Sequence, residues 1–247
     1  MSGWGDWYME VFLGRWIFLL GLVLGSFYNV VIYRLPRKLS LVKPGSSCPK
    51  CGHRLGASEL IPVVSFLWQK GACKECGDRI ALRYPLVELA TGLGFLAILY
   101  HSSSFGDVLV GLAFFSLLLV LALIDLEHKL LPNVLTLSGT ALGLVFGLLG
   151  WTSSFWTNVL GAGVGFLLMF LIALISRGGM GMGDVKLMAM IGAFLGWKSV
   201  FYVLFGASLL GSIGGILYLY ITKQDRKTPI PFGPSLAVAA LIVYFVL

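Results

Sequence analysis

Gly178-Gly179-Met180-Gly181-Met182-Gly183-Asp184-Val185-Lys186 is a glycine-rich loop ending in a carboxylate, set between two long apolar runs. An acidic group this close to membrane-length apolar sequence must be held by something or used for something. A second such group lies upstream, in Leu123-Ile124-Asp125-Leu126-Glu127-His128-Lys129. If the runs around these stretches are spans, the placement of Asp125 and Asp184 relative to the bilayer follows from span counting alone.

The composition supports that premise. Hydrophobic residues make up 58% of the 247-residue chain and charged ones only 12%, more apolar sequence than a soluble domain of this size can bury. The first ten residues carry Asp6 and Glu10 in place of a basic n-region, so no cleavable signal is expected. A helix needs about 20 apolar residues to cross the hydrocarbon core. The candidates are Val11–Tyr33, Tyr84–Tyr100, Val108–Ile124, Val134–Leu149, Trp156–Ser176, Val185–Trp197, Ser199–Thr222 and Pro231–Leu247. In the first, Gly21, Gly25 and Ser26 offer a face for close helix packing. Val185–Trp197 is the shortest and spans only with tilt or local thinning.

Charge tests the count. With the polar 34–83 segment placed in the cytoplasm and the spans alternating, sixteen of the eighteen Lys and Arg fall inside, leaving Arg15 and Lys198 outside. Lys129, Arg177, Lys186, Lys223, Arg226 and Lys227 are among the inside residues. Without the short span, Lys223, Arg226 and Lys227 would move outside. The formal charge of +7 is thereby assigned to topology and anionic lipid, and no nucleic-acid partner is expected. The sequence thus predicts an all-α polytopic membrane protein of eight transmembrane helices, both termini outside. The expected divisions are a first helix (1–33), a cytoplasmic cysteine subdomain (34–83) and a seven-helix membrane domain (84–247).

This layout brings Asp125 and Asp184 to the same, cytoplasmic face from independent helices. Two neighbouring aspartates that share a proton can cleave a peptide bond: the ionised one takes a proton from water, and the protonated one donates to the carbonyl oxygen. Gly181 and Gly183 lack a Cβ and would let a substrate backbone approach Asp184. The plainer alternatives are that Asp184 caps the following helix and that Asp125 is a solvated interfacial charge beside Glu127, His128 and Lys129. Glu88 is expected to pair with Arg83 or another basic group, its role open.

Cys48-Pro49-Lys50-Cys51 and Cys73-Lys74-Glu75-Cys76 form two C-x2-C pairs, close to the zinc-ribbon pattern, with Gly52 and Gly77 directly after them. Four thiolates fill a tetrahedral sphere, so the expected Zn2+ is structural and stabilises a segment too small for its own core. A redox dithiol pair and a nucleic-acid-binding ribbon are the competing readings, and His53 is a spare ligand.

Taken together, these segments resemble the bacterial type IV prepilin peptidases, also called prepilin leader peptidase/N-methyltransferases. The resemblance is carried by Gly25-Ser26-Phe27-Tyr28-Asn29-Val30-Val31-Ile32-Tyr33-Arg34-Leu35-Pro36, the two CxxC pairs and Arg83-Tyr84-Pro85-Leu86-Val87-Glu88-Leu89. It continues through Asp125 to Pro132-Asn133, Gly181-Met182-Gly183-Asp184 and Pro231-Phe232-Gly233-Pro234. It implies a GxGD-type membrane aspartic protease of the bacterial inner membrane with Asp125 and Asp184 as the catalytic pair. Its substrates would be prepilins and pseudopilins, cut between a glycine and a phenylalanine at the cytoplasmic membrane face for pilus assembly or type II secretion. The resemblance also implies N-methylation of the new amino terminus from S-adenosylmethionine, associated with the cysteine subdomain. The residues themselves show no methyl-donor motif. The competing classes are a peptidase without methylation, a proton-coupled transporter and a non-catalytic assembly factor. A transporter would place carboxylates at mid-membrane between repeated halves, and no internal repeat is visible.

Overall fold

Each of the eight apolar runs becomes a helix. The computed structural model describes residues 3–176, 180–222 and 231–247. Arg177, Gly178 and Gly179 of the glycine loop lie outside them, as do Lys223, Arg226 and Lys227. The chain divides into two compact units, Met1–Ser102 and Ser103–Leu247.

The first unit contains α1 (Gly3–Arg34), the short α2 (Val64–Trp68) and α3 (Arg83–His101). Helices α1 and α3 pack through small residues. A Cβ on Gly21 would lie 2.7 Å from the Gly92 Cα, and one on Gly25 would lie 2.7 Å from the Glu88 Cα. The glycine face expected for close packing is therefore used, and it brings two backbones together where lipid gives no hydrophobic drive between helices. Between α1 and α3 the chain forms the cysteine loop. Among the described residues it has no strand, only the isolated bridges Ser47–Arg54 and Ala72–Arg79. The ribbon-like part is thus reduced to two turns, each flanked by a single bridge that starts one residue before its first cysteine and ends three after its second.

The second unit contains α4 (Phe105–His128), α5 (Asn133–Leu148), α6 (Phe155–Ile175), α7 (Met182–Leu195), α8 (Trp197–Thr222) and α9 (Gly233–Val246). Helix α7 is its centre. From Leu187 to Phe194 every residue is buried, so the helix shows no polar face, and it packs on α5, α6, α8 and α9. Its 14 residues rise about 21 Å, short of the roughly 30 Å hydrocarbon core. Gly196 (φ 80°) then ends α7, and α8 begins at once. The α6–α7 crossing is a backbone contact: a Cβ on Gly161 or Gly192 would collide with the carbonyl of the other.

Among the described residues five helices are long and apolar enough to cross a membrane: Val11–Arg34, Arg83–His101, Phe105–His128, Phe155–Ile175 and Trp197–Leu217. Asn133–Leu148 and Gly233–Val246 are apolar but shorter. The three helices that length alone does not qualify are α5, α7 and α9.

Candidate active site and metal centre

Asp125 lies in the last turn of α4, inside the helix and not beyond it, because α4 runs on to His128 before Lys129 turns left-handed (φ 52°). It is 6% exposed, so it is not a solvated interfacial charge. A helix C-terminus is a poor place for an anion. The compensation comes from another helix: the Gly233 N–H, at the start of α9, donates to Asp125 Oδ2 at 3.0 Å. That amide has no partner within its own helix and is free to serve the carboxylate. A Cβ on Gly233 would sit 2.6 Å from the same oxygen, so only glycine allows the approach.

Asp184 is the third residue of α7, and Gly181 is the N-cap. It therefore does not occupy the cap position, although its carboxylate turns back to accept the Gly181 N–H. An anion in a first turn is favoured by the aligned peptide dipoles. Asp184 is near enough to Asp125 to feel its charge. Around them, a Cβ on Gly183 would meet Leu131 at 3.0 Å, whereas for one on Gly181 the nearest described atom is an Asp184 carboxylate oxygen, at 3.8 Å. Lys186 Nζ donates to Asn133 Oδ1 at 2.8 Å and ties the first turn of α7 to the start of α5. Glu127 and His128 lie beside each other at 3.9 Å on the end of α4.

Sequence reasoning singled out both aspartates and gave Gly233 no role. Its signal was the glycine between Phe232 and Pro234 at the start of an apolar run, a placement that leaves helix N–H groups unpaired.

In the first unit, the two cysteine pairs form matching turns. Gly52 N–H donates to Cys48 O at 3.0 Å and Gly77 N–H to Cys73 O at 2.9 Å. Both glycines have positive φ, 74° and 70°, which closes each turn without strain. The four Sγ atoms lie within 4.8 Å of one another. Cys48–Cys76 and Cys51–Cys73 are 3.8 and 3.9 Å apart, far beyond a disulfide. A tetrahedral ion with bonds of about 2.3 Å separates its sulfurs by about 3.8 Å, so the donor set fits a four-thiolate metal site. The amides of Cys51 and Lys50 aim at the Cys48 sulfur and bring its thiol down to about 6. His53 stands apart from this set, with Nε2 against Glu59 Oε2 at 3.0 Å. Lys50 and Asp78 bridge the two turns at 2.9 Å.

Residues 112–216 match the model of the type IV leader peptidase family, and residues 19–102 match the bacterial peptidase A24 N-terminal domain. A protein of Bacillus subtilis (strain 168) named prepilin leader peptidase/N-methyltransferase is 37% identical over 228 residues, 92% of each chain. The chain belongs to the type IV leader peptidase family. Proteins of the same name from Aeromonas salmonicida (strain A449) and Pseudomonas aeruginosa (strain PAO1) are 38% and 40% identical. These matches cover 92% and 91% of this chain and 88% and 87% of theirs. No solved structure matches. Asp125 lies within the matched 112–216 region and Gly233 beyond it, so the amide that serves Asp125 comes from outside the matched segment.

Proposed function

We propose that this family member is a membrane aspartic endopeptidase that removes the leader of prepilins and pseudopilins and then N-methylates the new amino terminus. The observation that carries the peptidase assignment is the pairing of a buried Asp125, held by the Gly233 amide, with Asp184 in the first turn of α7. One carboxylate, ionised, takes a proton from water, whose oxygen attacks the scissile carbonyl carbon. The other donates its proton to the carbonyl oxygen. Collapse of the tetrahedral species breaks the C–N bond, with a proton passing to the leaving amine. Among the described residues Gly181 leaves more room beside Asp184 for the unwound substrate backbone than Gly183, where Leu131 already packs.

In this reading the five long helices and the shorter α5, α7 and α9 all cross the inner membrane, with α7 shielded by α5, α6, α8 and α9. The cysteine loop and both aspartates face the cytoplasm, a placement supported by the distribution of Lys and Arg. Cys48, Cys51, Cys73 and Cys76 hold a structural Zn2+, supported by the sulfur spacing. S-adenosylmethionine would supply an activated methyl group, and the names of the relatives support that activity. The bond cut lies between a glycine and a phenylalanine at the cytoplasmic edge of the substrate helix.

The test is cleavage of a purified prepilin by the wild type, Asp125→Asn and Asp184→Asn in detergent. Each amide variant should lose roughly 10²- to 10⁴-fold in turnover, the range of a positioned acid or base. Near-normal turnover by either would remove that aspartate from the pair. Mass spectrometry of the wild-type product should show one added methyl group when the donor is supplied, and none without it.

A further inference from the structure

The first unit holds a buried polar cluster that peptide cleavage does not use. Glu88, on α3, is 7% exposed. The Val63 N–H donates to its Oε2 at 2.7 Å, and the Ser26 hydroxyl also hydrogen-bonds its carboxylate. Asn29, on α1, is 3% exposed. Its Nδ2 donates to Tyr84 O at 3.1 Å and to Gly25 O at 3.3 Å, which fixes the amide and leaves Oδ1 buried with no hydrogen-bond partner. Tyr84 precedes Glu88 by one turn of α3, and Gly25 faces the Glu88 backbone, so both acceptors lie on one stretch of the α1–α3 seam. A buried acceptor left unpaired on the same stretch of seam as a buried carboxylate calls for a donor-rich cation.

The Val63 turn lies against the Glu88 carboxylate. Val63 has φ 60° and ψ −48°, unusual for a β-branched residue, and Val64 N–H closes a three-residue turn on Pro62 O at 2.6 Å. Such strain persists only where neighbours hold it, and the Glu88 carboxylate is the group that holds the Val63 amide.

We propose that Glu88, Ser26 and Asn29 Oδ1 form a seat for a primary ammonium, the α-amino group exposed by leader cleavage, and that the strained Val63 turn covers this seat until the ammonium displaces it. This deepens the N-methyltransferase reading and rests on it. The three N–H bonds of an ammonium match the carboxylate and the orphan carbonyl, and the displaced turn relaxes. Glu88 then takes one ammonium proton. The freed nitrogen lone pair forms the new N–C bond as the C–S bond of the sulfonium donor breaks, with its electron pair staying on sulfur. The positive charge leaves on the methylated amine, and Glu88 returns its proton to water.

The experiment uses the full-length purified protein. It measures prepilin cleavage, product methylation, and binding of three probes: a synthetic peptide beginning with phenylalanine, its N-acetylated form, and S-adenosylhomocysteine. The wild type should prefer the free-amine peptide over the acetylated one. Glu88→Gln should lose that preference and methylate roughly 100-fold more slowly, with cleavage and S-adenosylhomocysteine binding retained. Val63→Gly, which adopts positive φ without strain, should bind the free-amine peptide several-fold more weakly, since the turn no longer favours leaving. Methylation by Glu88→Gln within threefold of wild type would overturn the proposal. So would an equal loss of cleavage, which would make Glu88 a fold-stabilising residue. Loss of S-adenosylhomocysteine binding with the peptide preference kept would assign the seat to the donor and overturn the base role. Unchanged binding by Val63→Gly would overturn the covering role of the turn. A wild type that never methylates would defeat the N-methyltransferase reading itself, while the amine preference would still report on the seat.

Discussion

The four-cysteine cluster and the aspartate pair are built on opposite plans. Each cysteine turn is assembled from about six consecutive residues, with its glycine, its amide bonds and both thiols supplied locally. The aspartates depend on three helices: α4 carries Asp125, α7 carries Asp184, and α9 brings an amide from 108 residues away. A local motif keeps its geometry as long as its own few residues are intact. An assembled site fails whenever any of several helix contacts shifts, including contacts far from the carboxylates.

The largest effect that would test this contrast is loss of the metal. Cys48→Ser or Cys73→Ser should remove bound zinc and make the 34–83 segment sensitive to protease, because four-thiolate binding supplies about 10–16 kcal/mol in small zinc modules. Helix content measured by circular dichroism should stay near wild type, since the loop contributes little helix. A wild type containing no metal would break the comparison at its first term. Next in size, Gly192→Val should destabilise the second unit by about 1–3 kcal/mol through overpacking against Gly161. In thermal unfolding it should lower cleavage while leaving zinc content unchanged, the signature of an assembled site damaged at a distance.

These two cases also show what was readable in advance. The CxxC pairs, the helices and both aspartates were legible because each is a short-range signal: spacing, apolar length, or a carboxylate beside an apolar run. The burial of α7 was not, because an apolar run looks the same whether lipid or protein surrounds it. Its shortness was visible in Val185–Trp197, but the reason, a central position among α5, α6, α8 and α9, appears only on folding. The Gly233–Asp125 bond was equally hidden, since nothing local to Pro231-Phe232-Gly233-Pro234 names its partner. Nor does the chain near Pro62 announce that Val63 is held in a strained turn by a carboxylate from α3.

Two smaller substitutions sharpen the contrast further. Gly233→Ala places a methyl group against Asp125 Oδ2 and breaks the bond from its own amide. Cleavage should fall roughly tenfold or more, the value of one hydrogen bond to a charged group at about 1.5 kcal/mol. Metal content should not change, and a fully active Gly233→Ala would show that Asp125 needs no help from α9. The smallest effect is expected at Lys50→Ala. Its bridge to Asp78 is solvent-exposed, so the loop should lose less than about 1 kcal/mol, read as a slight rise in the rate of zinc release to a chelator.

The position of Gly233 has a consequence for the life of the protein. Polypeptides are made from the amino end, and α9 follows every other described helix in the chain. While α4 and α7 are already in place, the amide that steadies Asp125 has yet to be made. A growing chain would thus carry both aspartates without a finished site. If the proposed aspartate pair cleaves, competence would arrive only once α9 is made, after α4 and α7.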